Sequence, residues 1–180
     1  MGMFFNIHLD SLDDLLLLEL KDLYDAEKRL CEAIPDMVEA ATSPALKQAF
    51  QSHLEQTKRQ VSRLEQAFVD LGRSAGRETC EAMKGLIKAA AEIAEAVGDP
   101  DVRDAALIAA GQRVEHYEIA GYGSARTFAQ RLGHPNVVRL LQTTLDEEKE
   151  TDQHLTQLAE DRINVRAESA QAERSSRSIT

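Results

Sequence analysis

Glu27 in LYDAEKRL and Glu118 in VEHYEIAG lie 91 residues apart, each in the middle of an apolar helical stripe. Projected at about 100° per residue, Glu27 falls within the arc of Leu16, Leu20, Leu23, Leu30 and Ile34. Glu118 falls among Leu107, Gly111, Val114, Tyr122 and Ala125, with Glu115 nearer the edge of the arc and His116 on the outer side. Further on, Glu148 lies between Leu141, Leu145 and Leu155, and Asp152 follows one turn later on the same stripe. A fourth stripe, Leu46, Phe50, Leu54, Val61, Leu64 and Phe68, is centred on His53 and Thr57, which makes His53 its inward polar group and leaves Glu55 toward solvent. Isolated carboxylates buried in this way are costly, so they must share protons, pair with cations or bind a metal. The stripes offer almost no inward Lys or Arg. Carboxylates and one imidazole drawn from four helices suit iron or manganese, and the lack of a clustered thiolate set weighs against structural zinc. Glu27, His53, Glu115, Glu118, Glu148 and Asp152 are therefore the candidate metal ligands, with Tyr24 and Tyr122 placed to hydrogen-bond a ligand.

The elements that must position these groups read as helices throughout. Ser11 followed by Asp14 resembles a capping box and opens a helix from about residue 11, with Pro35 expected to kink it near Cys31 to Ile34 before it resumes to Ala41. Ser43-Pro44 starts a second helix that Gly72 stops, giving about 44–71. After a GRSAG loop, a crossover helix spans Glu78 to Val97. Asp99-Pro100 opens a fourth helix closed by Gly133, and Pro135 opens a fifth that runs to about Ile163. The 91-residue offset recurs: Pro44 maps onto Pro135, and Leu54, Lys58 and Leu64 map onto Leu145, Lys149 and Leu155. Two related helical hairpins follow, the arrangement by which a four-helix bundle collects carboxylates in its core.

Composition bounds the rest. At 180 residues the chain supports one hydrophobic core, assigned to 1–163, while 164–180 carries too few large apolar residues to offset its ordering entropy and reads as a disordered tail. Aromatics make up only 4%, and helix formers dominate, so the fold class is all-α. A formal charge of −10 disfavours nucleic acid and anionic membranes as partners. Cys31 and Cys80 build no disulfide framework and read as small packing groups, which makes a reducing cytoplasm the default compartment. The longest apolar run, Leu15 to Leu18, is too short to cross a bilayer.

The segments LKDLYDAEKRL, TSPALKQAFQSHLEQTKRQVSRLEQ, RDAALIAAGQRVEHYEIAGYGSAR and LLQTTLDEEKETDQHL resemble the YciE/YciF family of ferritin-like proteins, DUF892, over residues from about 10 to 163. The resemblance implies a ferritin-like four-helix bundle with a long crossover, a small homo-oligomer (a homodimer is expected), a link to bacterial stress responses and a dinuclear metal centre. It matches Glu27 to the single Glu of the first helix, Glu118 with Glu115 to the carboxylates of the third bundle helix, and Glu148 to the first ligand of the last. The broader di-iron pattern places Glu-x-x-His on the second and last bundle helices. Neither has it here: Glu55 is followed by Lys58, and Glu148 by Thr151 with Asp152 beyond. His53 and Asp152 are the substitutes, giving an asymmetric or mononuclear centre. Two readings result: a redox metalloprotein that oxidises iron or reduces oxygen species, and a metal-free helical scaffold or interaction protein of the stress response.

Overall fold

In the computed structural model, which describes residues 7–169, the Ser11 hydroxyl accepts a hydrogen bond from the Asp14 amide at 3.1 Å and donates to the Asp14 carboxylate at 2.6 Å. That reciprocal cap starts α1, Leu12–Ala40, which continues as a single element through Pro35. The turn after it is tied by Asp104, a buried carboxylate that accepts from the Thr42 amide and hydroxyl, each at 2.8 Å, and from the Ser43 amide at 2.7 Å. Ser43 then caps α2, Pro44–Leu71. Gly72 ends α2 in the left-handed region, φ 62°, where the bonds from Gly72 N to Val69 O and from Arg73 N to Phe68 O occupy carbonyls of the last turn.

The crossover helix α3 is Glu81–Ala94, shorter at both ends than the 78–97 span expected from its stripe. Its start is set by a tertiary contact. Asp25 of α1 takes the Cys80 amide at 2.7 Å, and the Cys80 sulfur accepts from the Met83 amide at 3.3 Å, so Cys80 becomes the N-cap. The thiol is also 3.2 Å from Asp22 and 3.1 Å from the Tyr117 hydroxyl, and Tyr117 donates to Asp22. Cys80 is thus a member of a polar cluster rather than a plain packing group.

Helices α4, Pro100–Arg131, and α5, Pro135–Leu158, form the second hairpin, and a π-helical turn, Ala159–Ile163, follows. Helix continues through residue 169, past the boundary expected at 163, with Ile163 buried and Arg166 paired to Asp101 at 2.8 Å. The remainder of the segment read as a disordered tail, 170–180, lies outside the described residues. Neighbouring pairs are α1 with α2, α2 with α5, α5 with α4, and α4 with α1, while α3 lies across α1 and α4. This is a square four-helix bundle built from two hairpins, with the crossover helix on one outer face; no strand occurs among the described residues. No described helix is long and apolar enough to cross a membrane.

The core divides in two. One apolar cluster gathers Leu30, Ile34, Phe50, Leu107, Val114 and Leu155, and another gathers Leu16, Leu20, Leu64, Tyr122, Leu141 and Leu145. Every bundle helix contributes to both clusters, in orders that reverse within each hairpin, so the polar residues between them form one layer: Glu27, His53, Thr57, Gln60, Glu115, Glu118 and Glu148, all buried. Apolar packing above and below supplies the stability that lets this layer stay polar.

Candidate metal centre

The layer begins from four helical stripes that each turn at least one polar residue inward where an aliphatic residue would otherwise sit. On α4, Glu115 and Glu118 are one turn apart and share a face, as i, i+3 pairs do. On α2, His53, Thr57, Gln60 and Leu64 make a continuous buried row. Glu148 comes from α5 and Glu27 from α1.

His53, Glu115, Glu118 and Glu148 converge: one donor atom from each lies within 4.8 Å of the others. His53 Nε2 is 3.2 Å from Glu115 Oε1, yet neither ring nitrogen has a partner aligned for a hydrogen bond. Both Glu118 oxygens and one oxygen each of Glu27, Glu115 and Glu148 are likewise buried without a hydrogen-bond partner among the described residues. Buried polar atoms are nearly always satisfied, so such a concentration of orphaned acceptors marks a place built for something else to bind. Three hard carboxylates and one imidazole fit iron or manganese, and the residues present could hold such an ion.

Glu27 stands beside this set. Its Oε1 accepts from the Tyr122 hydroxyl at 2.5 Å, its charge raises Glu118, and the charge of Glu148 in turn raises Glu27. Tyr122 thus does hydrogen-bond a candidate ligand, whereas Tyr24 donates instead to Glu65 at 2.9 Å. Asp152 lies outside the set. It is half-buried, accepts from Gln112 Nε2 at 3.1 Å, and lies 3.4 Å from Nε2 of the exposed His116.

Gln60, Glu147 and Arg63 escaped the sequence reading. Gln60 Nε2 donates to Glu148, and to Glu147 at 3.1 Å. Arg63 grips Glu147 through both terminal guanidinium nitrogens, at 2.6 and 2.7 Å. A cation therefore does stand at the flank of the layer, one carboxylate away from Glu148. The signal for Gln60 was present, since 53, 57, 60 and 64 follow helical spacing.

The 91-residue repeat explains the asymmetry. Under it Thr57 matches Glu148, Gln60 matches Thr151, and Thr144 matches His53. Thr57-x-x-Gln60 and Glu148-x-x-Thr151 therefore occupy the inward positions where the di-iron pattern carries Glu-x-x-His, while Glu55 and Lys58 pair with each other on the surface at 2.6 Å. The Thr57 hydroxyl donates to the His53 carbonyl at 3.0 Å and that of Thr151 to the Glu147 carbonyl at 3.1 Å, so both turn back onto their own helices. One half of the layer keeps a full donor set and the other keeps Glu27.

Electrostatics follow from burial. Glu27, Glu115 and Glu118 are pushed well above the usual carboxylate range, first by desolvation and then by the neighbouring carboxylates. Glu148 rises less, to about 7, because burial is opposed by its hydrogen bond with Glu115 and by Arg63. Burial drives His53 down to about 4. Without a metal the layer holds protons on Glu27, Glu115 and Glu118 and a neutral imidazole at pH 7, with Glu148 in the middle of its titration, and a cation entering it must displace the protons of its ligands.

Comparison with known proteins agrees with this architecture. The family DUF892, described as a domain of unknown function, matches residues 11–168. Protein YciF of Escherichia coli (strain K12) is 43% identical over 163 residues, covering 90% of this chain and 98% of that protein. The crystal structure of the E. coli stress protein YciF superposes with a TM-score of 0.84 at 43% identity, over 87% of this chain and 99% of that one. A putative structural protein, YcfI, from Rhodopseudomonas palustris gives a TM-score of 0.80 at 44% identity over 86% and 98% of the two chains. A Xanthomonas campestris pv. campestris protein at 21% identity shares the fold, with a TM-score of 0.73 over 89% of this chain and 99% of its own. With its ferritin-like bundle and its match along nearly the whole chain, this protein belongs to the DUF892 family and is a relative of YciF.

Proposed function

We propose that this chain is a stress-associated metalloprotein that holds a single iron or manganese ion between His53, Glu115, Glu118 and Glu148. The observation that carries the reading is the convergence of those four buried donors, with both Glu118 oxygens unpartnered. A bound ion would supply one-electron redox chemistry toward oxygen species or ferrous iron. The protein's own part is to exclude water, orient the carboxylates and store protons. Gln60 donates to Glu148 and so holds one of its oxygens in a fixed direction, leaving the other free to bind. Tyr122 does the same for Glu27, whose protonated carboxyl stands ready to exchange a proton with the site. The charge of Arg63 favours ionisation of Glu148 when the cation arrives, against the repulsion of Glu147, which Arg63 itself pairs.

Elemental analysis of protein purified without chelator or affinity metal tests this, beside Glu118→Gln and Glu27→Ala. Near-stoichiometric iron or manganese is expected in the wild type and in Glu27→Ala, with loss in Glu118→Gln. Twice that content in the wild type, halved in Glu27→Ala, would replace the single ion by a pair. A wild type that stays metal-free after reconstitution with Fe(II) or Mn(II) would sink the reading and favour a scaffold, the role that the description of the Rhodopseudomonas relative as a putative structural protein suggests.

A further inference from the structure

The outer face covered by α3 contains a crevice that leads to the polar layer. Asp36 and Ala91 are exposed at its mouth, and its floor is His53 and Glu115, both buried. Between them the walls are aliphatic and aromatic: Met37, Phe50, Ile87, Ala90 and Val114. The sequence makes this space by leaving side chains small on both sides. Helix α3 presents the run AAAEIA, Ala89 to Ala94, and α4 answers with Ala110 and Gly111. A methyl group on Gly111 would already touch Leu155 at 3.4 Å and Phe50 at 3.5 Å, so the absent side chain there is part of the opening.

Size and polarity select the occupant. The crevice has a volume of about 70 Å³. A dry apolar cavity of about 150 Å³ accepts benzene or xenon, so half that space excludes a ring and admits a diatomic molecule or one xenon atom. Water needs two or more polar partners, and in the crevice these exist only at the mouth and the floor. The apolar middle therefore favours a small apolar guest, and the floor sets that guest beside the imidazole and a carboxylate of the cluster.

We propose that this crevice binds dioxygen and leads it to the His53 and Glu115 side of the centre. Its use there rests on the metal reading above, whereas occupancy by a diatomic-sized guest does not. The crossover helix, which adds nothing to the ligand set, thereby gains a role as the outer wall of a gas entry path.

Metal-free crystals under xenon pressure should show one xenon among Met37, Ile87 and Val114, and its absence would overturn the proposal. Ala94→Leu, at a half-buried position lining the crevice, should fill the space and remove that xenon. In Fe(II)-loaded protein of matched iron content, the same variant should slow nitric oxide association, followed by the iron-nitrosyl absorbance, by about tenfold, or about 1.4 kcal/mol of barrier. Unchanged association with xenon displaced would overturn the entry role. Failure to load iron would sink the metal reading alone, and the xenon result would still decide whether the crevice binds a diatomic-sized guest.

Discussion

Glu148→Gln should stabilise the metal-free protein at pH 8 and weaken the metal-loaded one. Burial raises Glu148 from 4.5 to about 7. Between those values the folded protein keeps the proton that the unfolded chain releases, so stability falls as pH rises through this window and the full penalty stands above it. At about 1.4 kcal/mol per unit the penalty is about 3 kcal/mol. Glutamine carries no charge, and its amide oxygen can still accept from Gln60; allowing about 1 kcal/mol for imperfect hydrogen bonding to Glu115 leaves a net gain of about 2 kcal/mol. For a chain of this size that raises Tm by about 4–8 °C. Adding Mn(II) at a hundredfold excess over Kd stabilises the wild type by about 3 kcal/mol. A variant that cannot bind gains nothing, so the order reverses by about 1 kcal/mol. The assay is thermal and urea unfolding of both proteins at pH 4.5 and pH 8, with chelator or with Mn(II). A variant less stable than wild type in chelator at pH 8 would refute the buried-charge argument. A gain that persists at pH 4.5 would show that charge is not its source, and no reversal with Mn(II) would refute ligation by Glu148.

His53 carries the opposite pH sign: its value drops from 6.5 to about 4 on folding, so metal-free protein should lose up to about 3 kcal/mol as pH falls through that window, a loss that His53→Gln should abolish in denaturation measured from pH 7 to pH 4. Tyr122→Phe removes the hydrogen bond to Glu27 Oε1 and should cost about 1–3 kcal/mol in urea unfolding. Asp104→Ala leaves the Thr42 and Ser43 amides without their acceptor and should cost about 2–4 kcal/mol by the same assay, with metal content unchanged. Asp152→Asn should leave metal stoichiometry as in the wild type, because Gln112 and not the cluster holds that carboxylate; loss of metal would place Asp152 among the ligands.

Helix limits were legible residue by residue because the signals are local. Ser11, Ser43 and Asp99 cap, Pro44, Pro100 and Pro135 suit first turns, and Gly72 ends α2, as the backbone conformations bear out. The crossover helix was read too long because its start depends on Asp25, a residue 55 positions away that claims the Cys80 amide. The inward direction of Glu27, Glu118 and Glu148 was equally legible, since a carboxylate inside an apolar arc of a helix has one direction to face. Gln60 sits on the same row as His53 and Thr57, and was overlooked because an amide in a stripe carries no charge to draw attention.

By itself, then, the sequence determined five helices, their inward faces and a repeated hairpin, because helix propensity, capping and periodicity act over a few residues. Which inward residues meet was decided only when α1, α2, α5 and α4 packed around one axis. Asp152 shares a stripe with Glu148 but lies about 6 Å further along the helix, enough to carry it out of the layer to Gln112 and His116. Tertiary packing likewise set the charge states, since desolvation depends on what surrounds a carboxyl rather than on its neighbours in the chain. It also opened the crevice under α3, because a run of alanines becomes a cavity only when another helix leaves glycine and alanine opposite it.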